Sequence, residues 1–251
     1  MWIFILSTTF FAASAQSNSD NPLLKPWSGP YGGVPAFNEY KVSDFKPAIQ
    51  FAIQEKLNEI DAIANNPKPA TFENTIVALE RSGATIERIL TVYGIYRSNL
   101  SSPEFSAIDR EMSPKFSEFS DKINQNKKLF TRIETVYNSK EKSKLTGEQQ
   151  RLIWLYYTNF VRQGAQLNDA DKAKVAGINK ELATLFTRFS QNLLAEEHNQ
   201  YVELKTESDF AGLPTEVKNA AIAEAKERKL NVMGCIANTR SSIEPFLTFS
   251  T

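Results

Sequence analysis

The chain has 251 residues, of which 41% are apolar and 23% charged, with 29 basic residues facing 29 acidic ones. That length suits one large domain or two small ones, and that balance is globular rather than disordered. The even charge excludes a global field that would draw nucleic acid or an anionic membrane, and ten glycines are few for a protein rich in hairpins or phosphate loops, so a mostly α fold is expected.

Trp2 to Ala12 carries no charge, and Ala13-Ser14-Ala15 has the small-x-small form of a cleavage site, so residues 1–15 read as a signal peptide. This reading makes the protein exported and periplasmic. No Lys or Arg precedes the apolar run, the first being Lys25, so a cytoplasmic location is the alternative if the segment is not a functional signal. The segment is too short for a stable membrane anchor. Residues 16–42 follow as an extended strap: Pro22, Pro26, Pro30, Pro35, Gly29, Gly32 and Gly33 forbid a helix, while Leu23, Leu24, Trp27, Tyr31, Val34 and Phe37 are too apolar for a free linker.

A helical domain spans 43–199. Ser43 is the expected N-cap of its first helix, in which Phe45, Ile49, Ala52, Ile53, Leu57, Ile60 and Ile63 recur every three or four residues up to Asn65-Asn66-Pro67. Thr71 caps a second helix that breaks at Gly83. A third carries Ile86, Ile89, Tyr93, Tyr96 and Leu100, and a fourth runs from Pro103 to Ile123 with a kink expected at Pro114. Lys127 to Tyr137 is a shorter helix. Thr146 to Gln163 is apolar on nearly every face through Leu152–Tyr157 and is expected at the centre of the fold. Asp169 opens the longest helix, to about Glu197, with Val175, Ile178, Leu182, Leu185, Phe189 and Leu193 as a coiled-coil-like seam. Residues 200–251 begin a mixed α/β segment. There Tyr201–Leu204 and Val232–Ala237 read as paired strands, and Pro214 opens a helix to Lys229. Phe246 to Thr251 is an apolar run with no polar exit, which reads as a truncated end. No repeat of 20–50 residues is present.

Chemistry-bearing residues are sparse. His198 is the sole histidine, and positions 194, 195, 201 and 202 are Leu, Ala, Tyr and Val, so a helical zinc pair has no second ligand. It reads as a polar side chain at a helix end. Cys235 is the sole cysteine, which rules out an internal disulfide and leaves an inert core residue as its reading. Glu55, Glu59 and Asp61, and separately Glu196 and Glu197, cluster on helices where carboxylates by default face solvent. Tyr31-Gly32-Gly33 lacks the strand–turn–helix setting of a phosphate loop. No catalytic, cofactor-binding or metal-ligating residue is assigned.

Nine stretches nevertheless resemble, in order, the amino-terminal portion of the thimet-oligopeptidase (M3) family of zinc metallopeptidases, most like its bacterial peptidyl-dipeptidase branch. They are NPLL (21–24), PYGGVPAF (30–37), DFKPAI (44–49), EIDAIANNPKPATFENTIVALERSG (59–83), EMSPKFSEFSDKI (111–123), LFTRI (129–133), INKELATLFTRFSQNLLAE (178–196), AGLP (211–214) and PFLTFS (245–250). Residues 231–242 fit that pattern less well. The resemblance implies a mostly helical two-domain enzyme whose halves flank a channel admitting short peptides. It also implies a His-Glu-x-x-His helix in the downstream half that holds zinc, and release of dipeptides from peptide C-termini. On that reading this chain is the substrate-channel half, inactive alone, with zinc held in the parent enzyme and a missing C-terminal catalytic half as its partner. The alternative is a freestanding, non-catalytic helical binding or scaffold protein.

Overall fold

Asn21 and Leu23 show how a segment without regular partners is held. The Asn21 side chain donates to the Asp44 carbonyl (2.9 Å) and accepts from the Leu23 amide (3.0 Å), and Leu23 is almost wholly buried. The Ala36 amide donates to the Tyr40 hydroxyl at 3.0 Å. These bonds supply what a sheet ladder would otherwise give the strap's backbone. The computed structural model describes residues 20–251, and the signal-peptide reading of residues 1–15 lies outside them. The described chain forms two compact units, one ending at Glu181 and the other running from Leu182 to Thr251.

In the first unit, α1 (Val42–Ala64) buries Phe45, Ala48, Ile49, Ala52, Ile60, Ile63 and Ala64, one stripe at helical spacing. Its cap is not the expected Ser43. The cap is Lys41, two residues earlier, where the Asp44 carboxylate accepts the Lys41 amide at 2.8 Å. Thr71 caps the next segment as expected, its hydroxyl accepting from the Asn74 amide. That segment winds as a π-helix over Phe72–Val77 before α2 (Ala78–Arg81). Gly83 turns the chain with a φ of 83°, and α3 (Ala84–Asn99), α4 (Pro103–Asn124) and α5 (Lys127–Asn138) follow. α4 continues through Pro114.

Two cores result. Phe45 fills the first, edge-on to Tyr93, Tyr96 and Phe105, with Met112, Ile89 and Leu23 around them. Ile60, Ile76, Leu129, Ile133, Ile153 and Phe160 fill the second, where α1, α5 and α6 (Gly147–Arg162) meet. The expectation that α6 is central fails: only Ile153 and Phe160 are buried, while Trp154 and Leu155 are exposed. An apolar run of that length feeds both the core and the surface, because a helix cannot turn every face inward at once.

α7 (Asp169–Asn199) has 31 residues, about 46 Å of helix. Its first turns meet the first unit through polar groups. Lys172 donates to the Gln125 carbonyl (3.1 Å), Asn179 to Asp121 (2.8 Å) and Lys180 to Glu118 (2.7 Å). The apolar seam is not buried: Ile178, Leu182, Leu185, Phe186, Phe189 and Leu193 are exposed, and Thr187 is the buried residue of the helix.

The second unit continues with β1 (Tyr201–Leu204), α8 (Thr215–Glu227), β2 (Gly234–Ala237) and α9 (Arg240–Phe249). The strands pair antiparallel, Val202 opposite Ile236 and Leu204 opposite Gly234. Leu204, Phe210, Leu213, Ala221 and Ile236 form the core. Gly234 is required by packing, since a Cβ there would lie 2.9 Å from the Phe210 ring. α9 gives the apolar run at Phe246–Phe249 a helical setting that its sequence did not announce: Phe246 packs on this core, and Leu247 and Phe249 are exposed. Among the described residues no helix is long and apolar enough to cross a membrane.

Candidate functional site

His198 sits at the end of α7 on a cleft of about 570 Å³ that it shares with Asn199, Tyr201, Glu224, Glu227, Arg228 and Leu230. Arg228 dominates this cleft. Its guanidinium donates to Glu224 at 2.6 Å and to the His198 carbonyl, and lies over the Tyr201 ring. A cation fixed in the cleft wall opposes a second cation, and among the described residues no three His, Cys, Asp or Glu converge on one point. These residues do not fit a zinc ion.

Cys235 lies in β2, 1% exposed, beside a cavity of about 250 Å³ lined by Glu216, Glu224, Ser241 and Ser242. Burial pushes its thiol pKa up, and Arg228 offsets this only in part. A thiol held protonated is a poor nucleophile, so the inert core reading suits it.

Helix α1 separates its carboxylates. Glu59 accepts the Gly83 amide at 2.6 Å, which pins the turn before α3. Beside it, Lys56 donates to the Ser82 carbonyl (2.8 Å) and hydroxyl (2.6 Å), and the Tyr156 hydroxyl donates to Glu80 at 2.6 Å. Burial lowers the Lys56 pKa against the pull of Glu87, Glu59 and Glu80. Burial likewise raises that of Tyr156, helped by its bond to Glu80. These bonds tie α1 to the Ser82–Gly83 turn between α2 and α3, and α6 to α2, so the carboxylates of Glu59 and Glu80 are spent on holding the fold. Glu55 is half-buried and Asp61 exposed, and the Asp61 backbone carbonyl accepts from Asn65 at the end of α1. Glu196 is exposed and Glu197 half-buried. Tyr156 is 76 positions from Glu80, a separation at which no pattern in the sequence could have linked them.

Tyr31, Gly32 and Gly33 form a turn with positive φ at each residue, closed by the bridge between Ser28 and Val34. The side chain of Tyr31 is fully exposed, and a Cβ on Gly33 would lie 2.8 Å from the Trp27 backbone. No helix follows to present its amides, so this is a tight turn rather than a phosphate loop.

No family model matches the chain. Among curated proteins, it is 32% identical to the dipeptidyl carboxypeptidase of Salmonella typhimurium over 229 residues, 91% of this chain and 34% of that protein. It is 32% identical over 227 residues to the dipeptidyl carboxypeptidase of Escherichia coli K12, 90% and 33% of the two chains. Oligopeptidase A of Haemophilus influenzae is 26% identical over 210 residues, 84% of this chain and 30% of its own. The chain thus spans about a third of the length of the curated relatives it matches. Its likeness to the M3 peptidases, first read from nine short stretches, extends over nine-tenths of the chain.

Proposed function

We propose that this chain forms the substrate-channel part of a zinc-dependent peptidyl-dipeptidase or oligopeptidase that hydrolyses short peptides. The observation that carries the reading is colinear identity with two dipeptidyl carboxypeptidases across nine-tenths of the chain. Helices braced by two apolar cores give rigid walls, and rigid walls act on a peptide by excluding folded proteins and fixing orientation. The chain has one histidine and no His-Glu-x-x-His. The zinc chemistry of the relatives' family is therefore assigned to a catalytic half outside this sequence, and export to the periplasm remains part of the proposal.

The test is a dipeptide-release assay on a short unstructured peptide, run with the chain alone plus zinc, and again with the downstream two-thirds of the Escherichia coli relative added. Turnover only in the second arm supports the reading. Chelator-sensitive turnover by the chain alone would overturn its assignment as the non-catalytic part. A chain that captures peptide but supports turnover in neither arm would favour the freestanding scaffold.

A further inference from the structure

Tyr137 of α5 and Tyr157 of α6 lie face to face, their ring centroids 4.1 Å apart and their planes within 3° of parallel. The quadrupoles of two such rings oppose a direct sandwich, and most aromatic pairs tilt or slide apart. This pair is held from both sides. Tyr157 also stacks on Phe130 at 5.8 Å, and Phe130 on Phe160 at 6.5 Å, both of them buried in the second core. The Lys142 ammonium lies over the Tyr137 ring, 4.2 Å from its centroid. Tyr157 already occupies one face of that ring, so the ammonium covers the other, where a cation is attracted to the ring and keeps it in place.

We infer that Tyr137 and Tyr157 form an oxidative modification site, which a one-electron oxidant converts to a dityrosine that staples α5 to α6. The inference rests on a contact inside the first unit and on no exposed face, and it does not depend on the peptidase reading.

Each phenol gives one electron to the oxidant and its hydroxyl proton to water. The phenoxyl radicals that result carry spin on the carbons ortho to oxygen, and one such carbon from each ring joins the other. The hydrogens on the joined carbons then move to the two oxygens, which restores both phenols. Two electrons and two protons leave in all. Carbons of parallel rings at this spacing already sit near van der Waals contact, about 3.5–4 Å, so the radicals meet by ring motion alone. Holding them there turns a collision between two radicals into a step within one molecule. The protons have an exit, because both side chains are half-buried and the Tyr157 hydroxyl accepts from the exposed Gln166 side chain at 3.4 Å. Tyr93 and Tyr96 differ in their partners. They pack on Phe45 and Phe105, which have no phenol to oxidise.

The test is to irradiate the full chain with a ruthenium tris-bipyridyl complex and persulfate, at about 1 µM so that coupling within a molecule outruns coupling between molecules. A monomer with blue biphenol emission is expected, lighter by two hydrogen atoms, with tandem mass spectrometry joining Tyr137 to Tyr157. Its yield should not depend on protein concentration, and should fall about tenfold or more in denaturing urea, where the rings part. Tyr137→Phe and Tyr157→Phe each keep the ring and lose only the phenol, so each should remove the product with the circular dichroism unchanged. Tyr156→Phe, one position away, should leave it. The cross-linked chain should melt on the order of 5–10 °C higher, since the bond closes a loop of about 20 residues. Absence of the product, its survival in Tyr137→Phe, equal yield in urea, coupling only between molecules, or an unchanged melting point each overturns the proposal.

Discussion

Arg132 on α5 is 8% exposed, and among the described residues its acceptors are two carbonyls and a side-chain amide rather than a carboxylate. Its guanidinium donates to the Asn66 carbonyl (2.9 Å), the Lys68 carbonyl (3.0 Å) and Asn74 Oδ1 (2.7 Å), and its Nε has no partner. Three hydrogen bonds from an ionised donor are worth about 1.5–3 kcal/mol each. Against them stands the cost of burying a cation, several kcal/mol after relaxation. Arg132→Met removes both sides of this balance. Asn74 Oδ1 keeps the Thr71 amide and the Thr75 hydroxyl, and Lys68 is exposed, so its carbonyl can take water. The net loss is then about 2 kcal/mol, or roughly 4–8 °C in the melting point of a unit this size. Arg132→Lys should cost as much or more. It retains the buried charge but loses the fork that reaches three acceptors on two segments. Urea unfolding followed by tryptophan emission is the assay, since Trp27 and Trp154 both belong to the first unit. If Lys lies within about 0.5 kcal/mol of the parent while Met loses more than about 3, the charge holds this loop and the argument from geometry is wrong.

Further substitutions probe other parts of the fold. Tyr93→Phe deletes the 2.8 Å bond to Asp109, which is buried and has Arg97 at 3.7 Å, and should cost about 1–3 kcal/mol in the same assay. A loss below measurement would show that Asp109 is satisfied without it. Gly83→Ala must take a φ of 83° and set its Cβ 2.7 Å from the Lys56 side chain, so about 1–3 kcal/mol should again be lost. In the second unit Asp209 accepts the Lys205 and Thr206 amides at 2.6 and 2.8 Å, and these bonds hold its carboxyl below the usual range. A depressed folded pKa gives stability that is present above the ordinary carboxylate value and lost as pH falls through the folded one. Asp209→Asn should therefore speed hydrogen exchange in β1 and β2 at pH 7, with the difference closing below about pH 3. Equal exchange rates at both pH values would refute the link.

Local rules made much of this fold legible. The strand at Tyr201–Leu204 falls on the residues its alternation marked, and Thr71, Ser102, Asn126 and Thr146 cap helices through side-chain bonds a reader can anticipate. The failures share a cause. Periodicity shows that Leu152–Tyr157 and the seam of α7 are apolar, but not which faces find a partner, and that depends on contacts far along the chain. α9 was hidden because Pro245 stands inside it, where proline commonly ends a helix. The site was the least legible part. Arg228 reaches His198 across 30 positions and Tyr156 reaches Glu80 across 76, and single-sequence spacing carries no signal at such range.

The lone thiol has a practical consequence. Cys235 is sealed in β2 and held protonated, so an alkylating reagent reaches it only when the second unit opens. Any cysteine placed on the surface will be labelled first, with no need to remove the native one. The same residue is then a clock: the slow phase of its modification times how often the Leu204–Ile236 core comes apart.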